Sequence, residues 1–154
     1  MRPYTYVSLF SSAGVGCYGF KEEKYDCVLT NELVERRMEV QKCNAKCSDP
    51  RGYLCGDITD PEVKKYALNH IDEYKKNKNL KDIDVVIATP PCQGMSVANH
   101  KKTQDEIIRN SLVLEAIHII SLIKPKVFVF ENVAAFMNTK CGKDGEERKI
   151  SEAI

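Results

Sequence analysis

The chain reads as an α/β domain built on a mostly parallel sheet with helices on both faces. Two observations carry that reading. Five short apolar runs rich in β-branched and aromatic residues alternate with segments of helical periodicity, the pattern of right-handed strand–helix–strand crossovers. Each run is followed by a polar or glycine-containing signal. The chemistry-bearing residues therefore collect at the carboxyl ends of the strands, where open α/β sheets place their ligands.

The elements follow in order. A first strand is expected over residues 6–10, leading into Phe10-Ser11-Ser12-Ala13-Gly14-Val15-Gly16 and a helix. A second, over residues 26–30, closes with Asn31-Glu32, and a helix runs over residues 33–42. A short third strand, residues 53–55, precedes Gly56-Asp57-Ile58. Pro61 suits the first position of a helix whose Val63, Tyr66, Ala67, His70, Ile71 and Tyr74 share a face. Residues 75–81 read as a solvated helix end and loop, with a basic DNA-contacting patch as the sharper alternative. The fourth strand, residues 85–88, ends at Thr89-Pro90-Pro91-Cys92-Gln93. A long polar loop spans residues 93–109, a length usually functional or disordered. The clearest helix covers residues 111–123, with Leu112, Ala116, Ile119, Ile120 and Ile123 on one stripe, Asn110 or Ser111 as cap and Pro125 as stop. The fifth strand, residues 126–130, closes with Glu131-Asn132-Val133. Residues 138–147 read as a polar tail, and residues 149–154 begin a helix or strand.

A chain of 154 residues is long enough for one domain with a real core. No apolar run approaches the roughly 18 residues that a membrane helix needs. Seven cysteines without an export signal point to reduced thiols and a cytoplasmic protein. A net charge of +1 is low for a free-standing nucleic-acid binder, so any nucleic-acid-contacting surface is expected mainly on another segment or partner.

Cys92 sits on a turn stiffened by two prolines that also lack backbone donors. Alone, it reads equally as a buried inert thiol or as a reactive one. Gly14 and Gly16 permit positive φ and close approach of backbone to a ligand; a plain strand-to-helix turn is the alternative, and the pattern is not the dinucleotide Gly-x-Gly-x-x-Gly. Glu32 is placed to bind ribose hydroxyls, as acidic residues at this position do in nucleotide sites. Cys43, Cys47 and Cys55 invite a zinc reading, but no histidine is near and a fourth ligand is missing, so no metal is expected. His70 and His118 fall on helical patterns and read as structural.

The set and order of these signals resemble the N-terminal half of the DNA (cytosine-5) methyltransferases, over about residues 4–136. The pairing of Pro-Pro-Cys-Gln with Glu-Asn-Val, about forty residues apart, carries most of the resemblance. It implies a Rossmann-like S-adenosylmethionine-dependent fold, incomplete at the C-terminus. It assigns the loop with Phe10, Gly14 and Gly16 to the methionine part of S-adenosylmethionine, whose product is S-adenosylhomocysteine. It gives Glu32 the ribose, Asp57 the adenine amine and Ile58 the adenine ring, with Pro91 and Leu112 also beside the cofactor. Against the usual Phe-x-Gly-x-Gly, Ser11-Ser12-Ala13 reads as a turn one residue longer.

The resemblance implies that Cys92 is the nucleophile that attacks cytosine C6, making C5 enamine-like. Glu131 would draw electrons from the ring through N3 and the exocyclic amine; the alternative is a helix-capping carboxylate. Asn132 would orient the loop and Val133 pack near the base. The partner is double-stranded DNA with its cytosine flipped out, at a cost of roughly a few kcal/mol. Gln93 and Ser96 are candidate substrate contacts; Asn99, Lys101 and Lys102 are candidate phosphate contacts.

The family's Gln-x-Arg-x-Arg segment, target-recognition region and C-terminal helix are not in this sequence. The chain is therefore expected to be a fragment, or one subunit of a split restriction–modification enzyme, inactive alone and nucleoid-associated with its partner. A non-catalytic cofactor-binding or assembly subunit is one alternative. A tRNA cytosine-5 methyltransferase is another, disfavoured because Gly94-Met95-Ser96-Val97 stands where that subfamily has Pro-Phe-Thr-Arg.

Overall fold

The computed structural model describes residues 2–91, 112–143 and 146–154. Five parallel strands form one sheet in the order β3-β2-β1-β4-β5. They are β1 (Thr5–Leu9), β2 (Asp26–Glu32), β3 (Tyr53–Cys55), β4 (Val85–Ala88) and β5 (Val127–Phe130). Their connections carry helices α1 (Tyr18–Glu22), α2 (Glu35–Cys43), α3 (Pro61–Asn77) and α4 (Leu112–Ile123). The expected α/β architecture is present. Because β1 lies between β2 and β4, winding reverses at β1, which opens a crevice at the carboxyl ends of β1 and β4.

Burial on both faces explains why the central strands read as continuous apolar runs rather than alternating ones. Every residue of β1 is buried. On one face, Val7, Leu9, Val28, Leu29 and Val86 meet Ala67 and Ile71 of α3 and Ala116, Ile119 and Ile123 of α4. On the other, Tyr6, Cys17, Cys27, Cys47 and Ile87 form a smaller cluster in which Tyr6 stacks on Phe20 of α1 at 4.8 Å. Asp60 caps α3 by accepting from Glu62 N at 2.8 Å, and Pro61 opens it. Lys124 leaves α4 with φ 52°, and Pro125 follows.

At the amino ends of the strands, buried Asp84 gathers β1, β4 and β5. Its carboxylate accepts from Arg2 Nη1 at 2.8 Å, Thr5 N at 2.9 Å and Lys126 Nζ at 2.6 Å. Burial disfavours the charge, but these donors outweigh it and hold the carboxyl well below the usual range.

The C-terminal segment differs from the expected polar tail. After a 3-10 turn over Phe136–Asn138, β6 (Lys140–Lys143) pairs antiparallel with β7 (Glu146–Lys149), and α5 (Ile150–Ala153) follows. These strands are poor in strand-forming residues. What fixes them is a separate cluster in which Cys141 and Ile150 pack on Val113 and Phe136. Among the described residues, β5 has a sheet partner on one side only, and Val127, Phe128 and Val129 are 54%, 46% and 40% exposed. Among the described residues, no helix is long and apolar enough to cross a membrane.

Candidate functional site

Six of the residues singled out from sequence share one cavity. Phe10, Glu32, Asp57, Ile58, Pro91 and Leu112 line a volume of about 470 Å³ that opens across the carboxyl ends of β1, β2, β3 and β4. Ser12, Asn31, Leu33, Val34, Arg37, Gly56 and Thr89 complete its wall. Arg37 carried no local signal, because an arginine one turn into a polar helix looks like a solvated residue. Thr89 was masked by the Pro-Pro-Cys turn that it opens.

Glu32 ends β2 and is 5% exposed. Its two oxygens accept from Ser12 N at 2.7 Å and Val34 N at 2.9 Å, and Arg37 Nη1 stands 3.6 Å from Oε1. The carboxylate thus joins the first loop to the start of α2 and still has lone pairs for hydroxyl donors. Asp57 is more exposed. Its Oδ1 accepts from Thr59 N at 2.9 Å and Thr59 Oγ1 at 2.8 Å, which orients the side chain within its own turn. Ile58, 2% exposed, belongs both to the cavity wall and to the main core. Asn31 Nδ2 donates to Leu54 O at 3.2 Å and Gly56 O at 3.0 Å, holding the ends of β2 and β3 together.

The loop after β1 turns sharply. Phe10, Ser12 and Gly14 all have positive φ, at 57°, 50° and 85°. Counted from Phe10, Ser12 and Gly14 stand where Phe-x-Gly-x-Gly has its two glycines. The expectation of a turn one residue longer is thereby corrected: the length is kept, with serine in the left-handed position that glycine suits. Gly14 and Gly16 do not line the main cavity. Gly14 faces the other side of the loop, where a smaller cavity of about 160 Å³ is bounded by Tyr6, Cys17, Lys21, Gln41 and Lys46. A β-carbon on Gly14 would meet Gln41 Cγ at 3.1 Å.

Thr89 Oγ1 donates to Phe10 O at 2.8 Å, tying the ends of β4 and β1 together. Asn132 Nδ2 donates to Pro90 O at 2.9 Å, and Glu131 N donates to Ala88 O at 3.2 Å. The residues after β5 therefore lean on the Pro90-Pro91 turn. Glu131 and Val133 are exposed and lie outside the cavity wall. Cys92, Gln93 and Ser96 lie outside the described residues, as do Asn99, Lys101, Lys102, the loop to residue 109 and the caps Asn110 and Ser111.

The cysteines of the zinc alternative are dispersed. Cys43 and Cys55 are exposed, whereas Cys47 is buried with its sulfur 3.4 Å from that of Cys27. That contact, together with burial, pushes the Cys47 thiol up. Among the described residues, no group of three or more His, Cys, Asp or Glu side chains is placed to hold a metal. His70 is buried beside Val28 O at 3.0 Å.

A five-stranded parallel sheet with its cavity at the β1–β4 crevice is the Rossmann-like fold of methyltransferases. A crystal structure described as a DNA modification methyltransferase encoded within an E. coli prophage shares it, with a TM-score of 0.54 and 24% identity over 87% of this chain and 33% of that one. The sequence model of the C-5 cytosine-specific DNA methylase family matches residues 4–151, and the chain belongs to this family. It is 33% identical to the type II methyltransferase M1.HgaI of Avibacterium volantium over 151 residues, which cover 96% of this chain and 40% of that protein. It is 42% identical to M.AquIA of Picosynechococcus sp. over 137 residues, covering 89% and 51%. The chain thus spans well under two-thirds of the length of these relatives.

Proposed function

We propose that this chain is the cofactor-binding and catalytic portion of a DNA cytosine-5 methyltransferase of the restriction–modification type. The observation that carries this reading is the cavity that gathers Phe10, Glu32, Asp57, Ile58, Pro91 and Leu112 from four strand ends. Its donor set suits S-adenosylmethionine: buried carboxylate oxygens at Glu32 for the ribose hydroxyls, an outward carboxylate at Asp57 for the adenine amine, and Ile58, Phe10 and Leu112 as apolar surface for the ring. When bound, that cofactor supplies an electrophilic methyl group.

The chain's own residues then divide the work. Cys92, following directly on Pro91, attacks C6 of a flipped cytosine as thiolate and raises the nucleophilicity of C5. Glu131 hydrogen-bonds N3 and the exocyclic amine, drawing charge away from C6. Asn132, Val133, Gln93 and Ser96 orient the loop and the base. After methyl transfer, loss of the C5 proton expels the thiolate and restores aromaticity.

Double-stranded DNA is the substrate in this reading, and a further segment or second subunit supplies target recognition. Two facts favour that partner: the matched segments cover only 40% and 51% of these relatives, and β5 presents an apolar edge. Such an enzyme works in the cytoplasm, on the nucleoid. The test is calorimetric titration with S-adenosylhomocysteine, followed by trapping on duplex DNA carrying 5-fluorocytosine with S-adenosylmethionine and the remaining polypeptide supplied. Binding plus a covalent Cys92–DNA adduct supports the reading. A folded chain that binds no S-adenosylhomocysteine overturns its cofactor part, and trapping that persists in Cys92→Ser overturns the nucleophile.

A further inference from the structure

Gln41 does not line the main cavity, yet it is 1% exposed and bonded at both ends of its carboxamide. Its oxygen accepts from Thr30 Oγ1 at 2.7 Å and Lys46 Nζ at 3.1 Å. Its nitrogen donates to Ser11 Oγ at 2.8 Å and Ser12 O at 2.6 Å. Chemistry fixes this orientation: an ammonium only donates and a carbonyl only accepts, so a reversed amide would set like against like at both ends.

Ser12 is held from both sides. Gln41 takes its carbonyl, and Glu32 takes its N–H at 2.7 Å. Between these bonds, a residue with a β-carbon sits at φ 50°. Such a conformation persists where its surroundings over-determine it. The stem of Gln41 contributes as well, since its Cγ lies 3.1 Å from where a β-carbon on Gly14 would stand. The side chain therefore sets both the shape of the loop and its distance from α2.

We propose that Gln41 is the positioning residue of the cofactor loop. It clamps the Ser12 peptide in its left-handed turn from beneath, and so sets where Ser12 and the Glu32 carboxylate stand in the cavity wall. This rests on reading that cavity as the S-adenosylmethionine site. Gln41 itself does not line that cavity.

The test uses the full ¹⁵N-labelled chain with Gln41→Met, which keeps length and loses every bond, and Gln41→Glu, which keeps the acceptor toward Lys46 and sets a second acceptor against Ser12 O. Both should shift the Ser12 amide resonance. Both should weaken S-adenosylhomocysteine binding about tenfold, as loss of a buried hydrogen bond implies. Ser12→Gly removes the need for the clamp, so Ser12→Gly with Gln41→Met should bind within about threefold of Ser12→Gly alone, a departure from additivity. A merely structural role would not be rescued in this way. An unmoved Ser12 resonance in a folded Gln41 variant, or a loss of affinity that persists in the glycine background, overturns the proposal. If Gln41→Met alone does not fold, folding restored by Ser12→Gly supports the clamp, and failure in both backgrounds overturns it. If the wild-type chain binds no S-adenosylhomocysteine, the cofactor reading falls and the resonance alone decides for Gln41.

Discussion

The side-chain amide of Asn132 reaches the carbonyl oxygen of Pro90 at 2.9 Å, while its own oxygen accepts from Val133 N at 2.9 Å. One residue thus joins the turn after β5 to the turn after β4. The joint suits its partner: consecutive prolines offer carbonyls but no N–H groups, so a strap on this turn has to come from an outside donor.

Replacing Asn132 with Ala should therefore misplace the turn that carries Cys92. In a complete enzyme we expect the turnover number to fall by about 100-fold, the scale of a misplacement of roughly 1 Å at a reacting centre. S-adenosylhomocysteine affinity should stay near wild type. Steady-state methyl transfer beside calorimetry checks this, and equal losses in both would contradict a positioning role at the turn.

Glu32 and Asp57 should separate by what else they do. Asp57 is bonded within its own turn, to Thr59, so Asp57→Ala should weaken cofactor binding by roughly 1.5–3 kcal/mol with little change in stability. Glu32→Gln should lower both, because its carboxylate serves Ser12 N and Val34 N together and an amide sets a donor against one of them. Paired calorimetry and urea unfolding measure the two effects, and an unchanged midpoint for Glu32→Gln would contradict the double duty.

Cys92→Ser should abolish methyl transfer and leave S-adenosylhomocysteine binding nearly intact, since a serine hydroxyl is too weakly acidic to serve as the nucleophile at neutral pH. Loss of a nucleophile costs roughly a million-fold in turnover in a covalent mechanism, so turnover above about one-hundredth of wild type would remove Cys92 from that role.

Asp84 predicts an acid limit to stability. Its folded carboxyl is held below the unfolded value of about 3.9 by Arg2, Lys126 and Thr5, against the opposing effect of burial. A depressed carboxylate stabilises the fold fully above the unfolded pKa, and that contribution is lost as pH falls through the folded one. Urea midpoints should therefore decline below about pH 4. Asp84→Asn should flatten part of that decline and lower stability at neutral pH by roughly 1.5–3 kcal/mol. An identical acid profile in the variant would assign the loss to other groups.

Much of this architecture was legible locally. β3 and β4 begin and end at Tyr53–Cys55 and Val85–Ala88 as their apolar runs imply, and Pro61 opens α3 as its suitability for a first helical position implies. Six residues that the resemblance assigns to the cofactor line one cavity, because a parallel sheet sends every strand's carboxyl end to one side. What stayed hidden depends on distant contacts. The β6–β7 hairpin exists because Cys141 and Ile150 reach Val113 and Phe136, which no local pattern in a Lys- and Glu-rich stretch can announce. Gln41 reads as a surface residue on a helix with little amphipathic pattern, and only the fold brings Ser11, Ser12, Thr30 and Lys46 around it. Gly14 lines the smaller cavity, and the side of the loop that it faces depends on the left-handed turn at Ser12.

The 154-residue chain alone should show no sequence-specific DNA methylation and should regain it only with the remaining polypeptide. Its net charge of +1 gives little phosphate attraction, the term that supplies most non-specific affinity. Direct base readout needs an element that enters a groove, whereas α3 and α4 turn their apolar faces onto the sheet. Among the described residues, the edge at β5 leaves Val127, Phe128 and Val129 about half exposed, a surface suited to a further strand or helix. The assay is transfer of tritiated methyl groups to mixed-sequence duplex DNA, with the chain alone and with the downstream polypeptide of a relative such as M1.HgaI added. A matching arm places Lys at Val127 and Val129: this should improve the solubility of the isolated chain and impair reconstitution. Robust specific methylation by the chain alone would show that a minimal catalytic core reads DNA unaided. Reconstitution indifferent to the two lysines would mean that the partner docks elsewhere than on β5.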